Sequence, residues 1–296
     1  MRFKKVSQLF SIIETSSIQE VSTSLNTKHG VSLYIKRDDL LHNIISGNKW
    51  RKLKYLLLSI EQEGFSKVAT MGGSHSNFAH ALSYVCYLLG WRCDLYIRGF
   101  AEQPITATLH DCAQWNANIH FVDRKKFREI RNNSPELAED IYWIPEGGLS
   151  KYSILGLQEV MMELNQKYDY IVISTATGTS VAGLTQGANK YQPDTKIIGI
   201  SVLNNALQQR EDVTRLIDSD SHSWSIIEGY EFGGFAKSNL QLKQFSDDFY
   251  LQHKILLENV YSGKSFYAVN DLIERGFFNR NSKILLIHCG GLQGRR

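Results

Sequence analysis

An α/β fold of two open, twisted, mostly parallel sheets is what this sequence predicts, and three observations predict it. Short Val/Ile/Leu-rich runs alternate with amphipathic stretches almost throughout the 296 residues. Several of those runs are apolar without interruption, as strands buried on both faces require. The length exceeds what one core usually covers, which points to two bodies. Strand–helix alternation at this spacing implies parallel βαβ units.

Taken in order, strands are expected at 67–71, 93–98, 118–122, 170–174, 196–202, 225–228 and 283–288. Helices are expected at 50–63, 77–89, 152–166, 179–190, 205–217 and 264–275. The first helix carries Trp50, Leu53, Leu57 and Ile60 on one stripe and stops before Gly64; the second stops before Gly90. A division is expected with 53–157 as a smaller domain and 1–52 together with 158–296 as a larger one. Ligands in open α/β sheets sit at the carboxyl ends of strands. The turns Gly72-Gly73, 175–180 and Gly290-Gly291 each follow an expected strand.

Composition narrows the function classes. With 43% hydrophobic residues and 4 prolines the chain reads as ordered and globular. The formal net charge of +3 comes from interspersed signs, so nothing demands nucleic acid, and Lys4-Lys5 and Arg124-Lys125-Lys126 read as solvated surface. No run approaches the ~20 apolar residues of a membrane span. The apolar stretch Leu9–Ile13 is too short for a signal peptide. Cys86, Cys93, Cys112 and Cys289 form no CxxC pair and read as reduced thiols of a cytoplasmic protein.

Lys49 is the residue whose surroundings carry most chemistry. It lies in Ser46-Gly47-Asn48-Lys49-Trp50-Arg51-Lys52-Leu53, just after Ile35-Lys36-Arg37-Asp38-Asp39-Leu40. About 25 residues later comes Gly72-Gly73-Ser74-His75-Ser76-Asn77. A lysine among other cations, followed by a hydroxyl-bearing Gly turn, suggests an amine nucleophile for a carbonyl cofactor. Arg37, Arg51 and Lys52 are expected to disfavour its ammonium form. Asp38 and Asp39 are expected to pair with Arg37 or to cap the loop.

The segment Thr175-Ala176-Thr177-Gly178-Thr179-Ser180 follows an apolar strand and opens a helix. Small residues let backbone N–H groups point at an anion, and the helix dipole adds positive charge. It reads equally as a phosphate cup or as a hydroxyl-rich N-cap without ligand. Other motifs are rejected. Ser262-Gly263-Lys264-Ser265 lacks the leading glycine of a nucleotide P-loop, because position 258 is Glu258. His75 and His80 are five apart with no HExxH, and GxSxG does not occur.

Together these segments, with Pro145–Gly148, Gly156, Tyr261–Lys264 and His288–Gly291, resemble the pyridoxal-phosphate (PLP) enzymes of the tryptophan synthase β fold type. The branch is the D-cysteine desulfhydrase / 1-aminocyclopropane-1-carboxylate (ACC) deaminase family. The matches stand in family order and span nearly the whole chain. The resemblance implies an active site in the cleft between two α/β domains. It implies that Lys49 holds PLP as an imine and, once freed, moves the substrate α-proton. Asn77 would hydrogen-bond the cofactor's phenolic oxygen, and Ser76 would meet the substrate carboxylate or act as acid/base. Ala176, Thr177, Gly178, Thr179 and Ser180 would bind the phosphate, helped by Lys52. Tyr261 would lie against the ring and reach the substrate. A homodimer and a small amino-acid substrate are implied as well.

The group beside the pyridine nitrogen sets the strength of the electron sink. ACC deaminases of the family usually carry Glu after the tyrosine, whereas this chain has Ser262. A hydroxyl favours the weaker sink that suffices to expel thiolate, so D-cysteine is expected first and ACC second. Cys289 replaces the family's usual Thr or Leu, and His75 and Phe78 also depart from the pattern. The chain ends soon after Gly291, earlier than relatives do, which is expected to thin one wall of the site. Two other readings make different predictions: a PLP-binding protein without turnover, and an unrelated phosphate-ester binder sharing only the anion turn.

Overall fold

Two β-sheets with helices packed on their faces organise the fold. The computed structural model describes residues 2–217 and 223–295. In chain order the elements are β1 (Ile18–Val21), α1 (Ser24–His29), β2 (Ser32–Lys36), α2 (Asn48–Gln62), β3 (Lys67–Gly73), α3 (Asn77–Leu89), β4 (Arg92–Arg98), α4 (Ala107–Gln114), β5 (Asn118–Val122), α5 (Arg124–Asn133), β6 (Tyr142–Ile144), α6 (Lys151–Met162), β7 (Tyr170–Thr175), α7 (Thr179–Tyr191), β8 (Lys196–Ser201), α8 (Leu207–Leu216), β9 (Trp224–Ile227), α9 (Leu240–His253), α10 (Ser262–Glu274) and β10 (Lys283–Ile287). The larger sheet runs β1-β2-β10-β7-β8-β9 and the smaller β5-β4-β3-β6. Among the described residues only β1 pairs antiparallel, with β2; every other ladder is parallel. The fold is therefore the expected α/β architecture of two mostly parallel sheets.

All seven expected strands form. Of the expected helices only α6 differs by more than two residues, ending at Met162 rather than 166. Its C-cap, Glu163, is drawn instead into ion pairs with Lys36 and Arg51. Strands β1, β2 and β6 and helices α1, α4, α5 and α9 were not expected. Their signals are weak for physical reasons. β6 has 3 residues, and β2 ends on a buried lysine. α5 buries only Phe127 and Ile130 on an otherwise charged surface.

Burial explains why the central parallel strands carry apolar runs. β7 is buried at every residue, between α6 and α7 on one side and α10 on the other. In the smaller sheet Val68, Leu95 and Ile144 pack with Leu53, Leu57, Leu82 and Val85 of the covering helices. Each such side chain contributes about 1.5–3 kcal/mol by leaving water. Helix α6 ties the two halves together by packing on both α2 and α7. That approach requires Gly156, because a Cβ there would fall 1.9 Å from the Arg51 carbonyl oxygen.

Candidate active site

Between the sheets lies a cleft with about 1040 Å³ of space not filled by protein, part of it continuous with solvent. Gly73, Arg98, Ser174, Thr175 and Cys289, at or just past the ends of β3, β4, β7 and β10, line it, as the strand-end rule requires. Four helix N-termini point into the same space. Asn48 and Lys49 open α2, Ser76 caps α3, Ser180 lies in the first turn of α7 and Tyr261 precedes α10. Their dipoles add positive potential, so the cleft favours an anionic ligand.

Lys49 sits on the first turn of α2 with only 8% of its surface exposed. Its placement depends on Gly47, whose φ is +63° and whose Cβ would strike the Cys289 carbonyl at 1.8 Å. Only glycine lets this loop pass so close to the end of β10. The Lys49 amine donates to Asn48 Oδ1 and lies 5.6 Å from the Tyr261 ring centroid. Asn48 Nδ2 in turn donates to Ser180 Oγ at 2.8 Å, joining the starts of α2 and α7. Burial lowers the Lys49 pKa, while Cys289 and Glu258 act in the opposite sense.

That cause differs from the one expected. Arg37 does not act on Lys49, because its guanidinium grips Asp39 at 2.7 and 2.9 Å. Arg51 is also neutralised, by Asp38 at 2.6 and 2.8 Å and by Glu163 at 2.7 Å. Asp38 therefore pairs with Arg51 rather than Arg37, and it also accepts a 2.6 Å bond from Ser16 Oγ. The buried Lys36 completes the group, 2.7 Å from Glu163. This network fixes the loop before α2, since the Gly47 N–H donates to the Asp38 carbonyl at 2.8 Å.

Lys52 lies one turn further along α2, donates to the Gly147 carbonyl at 2.9 Å and lines the cleft. Burial, reinforced by Lys49, pushes its pKa down to about 7. The turn 175–180 stands opposite: Ala176, Thr177 and Ser180 line the cleft, while Gly178 and Thr179 do not. The Gly178 N–H is already taken by Thr175 Oγ1 at 3.2 Å. Gly178 itself adopts the left-handed conformation that starts α7.

The remaining expected residues divide. Ser76, Tyr261 and Cys289 line the cleft. Ser76 Oγ caps α3 by accepting from the Ala79 N–H at 3.2 Å. Asn77 lies behind the wall, its Oδ1 accepting from Gln293 Nε2 at 2.6 Å. Ser262 is fully buried and turned to Glu258, with Oγ 3.2 Å from the carboxylate. Glu258 was not read as part of the site. Its carboxylate accepts the N–H groups of Val260, Tyr261 and Ser262 at 2.6, 2.8 and 2.6 Å, and burial raises its pKa. On the floor Ser174 Oγ donates to Cys289 Sγ at 3.4 Å, and burial raises the Cys289 pKa. Phe78 also lines the cleft. Arg98, Phe127, Arg131, Glu146, Leu203 and Phe235 were missed. Arg98 ends an expected strand, so the strand-end rule had the signal for it; Phe127 and Arg131 lie on an unexpected helix.

The donor set fits a phosphorylated aldehyde: a buried amine short of its usual basicity, a hydroxyl-rich turn at a helix start, a second buried lysine and an aromatic side chain. A model of the family described as pyridoxal-phosphate dependent enzyme matches residues 19–290, and this chain belongs to that family. Within it, the chain is similar to enzymes of two named activities. A Pyrococcus horikoshii protein provisionally named 1-aminocyclopropane-1-carboxylate deaminase is 30% identical over 92% of this chain and 88% of its own length. The D-cysteine desulfhydrase of Salmonella newport is 26% identical over 88% and 87%. The crystal structure of an ACC deaminase homologue superposes with a TM-score of 0.81 at 28% identity, covering 99% of this chain and 96% of that one. The chain is thus a PLP-dependent enzyme of the lyase and deaminase branch. Among the described residues no helix is long and apolar enough to cross a membrane.

Proposed function

We propose that this cleft binds PLP through Lys49 and removes the amino group of a small amino acid, D-cysteine first and ACC second. The observation that carries the reading is the buried Lys49 amine, held by Asn48 within the same cleft as the 175–180 turn. Bound there, PLP supplies an electron sink for charge developing at the substrate Cα. The chain supplies the rest. Backbone and hydroxyl groups of Ala176, Thr177 and Ser180, which line the cleft, hold the phosphate, with Lys52 as counter-ion, while Gly178 and Thr179 shape the turn from behind. The Lys49 amine, low in basicity because it is buried, accepts and returns the Cα proton. Ser76 faces the substrate carboxylate, and Tyr261 covers the reacting centre from the start of α10. Asn77 orients the ring from behind the α3 turn.

The choice between substrates rests on charge at the floor. Ser174 and Cys289 are neutral there, Ser262 is turned away, and the Glu258 carboxylate is committed to three backbone N–H groups. Neutral partners leave the pyridine nitrogen unprotonated and the sink weak, which is enough to expel a thiol. With water, D-cysteine then gives pyruvate, ammonia and sulfide. The buried, unpaired cysteines support a cytoplasmic location. Exposed Leu155 and Met162, one above the other on α6, support a homodimer. We place the smaller domain at 53–157 between the two larger-domain segments.

Borohydride reduction of the protein with PLP, followed by peptide mass analysis, places the label on Lys49. A panel of D-cysteine, L-cysteine, D-serine and ACC, scored for keto acid and sulfide, gives both products from D-cysteine. A Lys49 label without any keto acid leaves a PLP-binding protein without turnover; no label at all overturns the reading.

A further inference from the structure

The mouth of the cleft carries a charge arrangement that a short neutral amino acid does not use. Arg98 is the last residue of β4, in register with Gly73 of β3 and Val122 of β5. Its guanidinium lies 5.7 Å from the Phe127 ring centroid, and Arg131, one turn on along α5, lies 5.5 Å from the same ring. All three line the cleft that holds Lys49. Arg131 is paired with Glu146, the one carboxylate among the lining residues. Arg98 has no carboxylate within salt-bridge reach among the described residues. It therefore stands on an aromatic face with its hydrogen-bonding edge unspent. Packing on Phe127 also limits its rotamers, so gripping a planar anion costs less order than for a free arginine.

We propose that Arg98, seated on Phe127 and backed by Arg131, is a specificity-determining residue that receives a second anionic group at the far end of the substrate side chain. Among amino acids long enough to reach it, the site then favours those ending in a carboxylate or another oxyanion, while cysteine and ACC, short and neutral, do not engage Arg98. This rests on the reading above, in which the amino acid enters beside Lys49. Glu146 tempers the selection by holding Arg131, so removing its charge strengthens the preference.

The test is absorbance titration of the PLP-loaded enzyme with aspartate and asparagine, which match in shape and differ in charge. In the native protein aspartate binds about tenfold more tightly, the usual scale for one charge-assisted contact. Arg98→Gln brings that ratio to about one while the Kd for asparagine moves less than about twofold, and Glu146→Gln widens the ratio. Equal loosening of both ligands in Arg98→Gln overturns the proposal, because Arg98 then serves the α-carboxylate or the fold. An unchanged ratio overturns it too. If the native enzyme loads PLP on Lys49 yet no amino acid alters its spectrum, the reading of the cleft fails and this inference with it.

Discussion

The two walls of the cleft differ in how they treat charge. The wall from α2, the 175–180 turn and the end of β10 is buried: Lys49, Lys52, Ser180 and Cys289 are each at most 8% exposed. Its ions are matched by internal partners, Asp38 with Arg51, Glu163 with Lys36, and Glu258 with a row of N–H groups. The wall from β4 and α5 is open. Arg98 and Arg131 reach water, and the latter is about half exposed in its pair with Glu146. Burial makes a group's chemistry unusual and its removal costly, while exposure makes a group replaceable. The buried wall suits chemistry common to a family, and the open wall suits selection among its substrates.

The largest effect expected from breaking this contrast is at Lys49. Lys49→Ala lowers turnover by roughly 10³-fold or more and removes the covalent cofactor bond, because the amine that binds the cofactor and accepts the proton is gone. Steady-state kinetics and mass analysis after borohydride treatment check it. The contrast sharpens at two arginine partners. Asp38→Ala leaves the buried Arg51 and Lys36 sharing Glu163 as their remaining carboxylate and costs about 3 kcal/mol in urea unfolding. Arg98→Gln, on the open wall, changes the same measurement by less than about 0.5 kcal/mol.

A third effect concerns pH. Lys52 is held near 7 when folded, against an ordinary 10.5. Between those values the unfolded chain binds a proton that the folded ligand-free protein does not. Stability of the ligand-free protein therefore rises with pH across roughly 7 to 10, and Lys52 weakens the fold most below 7. Lys52→Met removes that rise and stabilises the ligand-free protein at pH 7, as urea midpoints at pH 7 and 9 would show. Phosphate arriving beside Lys52 restores its charge, so PLP binding takes up a proton in the same window. Calorimetry in two buffers of different ionisation heat measures that uptake.

How much of this was legible in the sequence follows the same division. Parallel strands announce themselves because burial on both faces fills the middle of β7 (171–173), β8 (197–200) and β10 (284–287) with apolar residues and glycine. Lys49 and the 175–180 turn were legible because glycines and hydroxyls cluster where a backbone must approach an anion. The cause of the Lys49 shift was not. Adjacent arginines in sequence suggest repulsion; the Arg37–Asp39 pair was legible, but only the fold shows Asp38 and Glu163 cancelling Arg51. Ser262 illustrates another loss, since position next to a motif residue does not fix which way a side chain turns. Phe127 and Arg131 were illegible because α5 has too narrow an apolar stripe to reveal its period.

The smallest effect expected is at the floor of the buried wall. Cys289 differs from the family's usual residues, yet burial keeps its thiol neutral and Ser174 Oγ donates to it at 3.4 Å. Cys289→Thr replaces one neutral group by another of similar size and keeps the Ser174 partner, so turnover of D-cysteine stays within about threefold. Cys289→Asp brings a carboxylate to the same place. If it ionises, it draws a proton toward the ring nitrogen, strengthens the sink and shifts the ratio of ACC to D-cysteine turnover upward. If it stays protonated, buried as it is, the ratio does not move. Comparing the two substrates in the three proteins therefore measures whether neutrality at position 289, rather than the sulfur itself, sets the reaction.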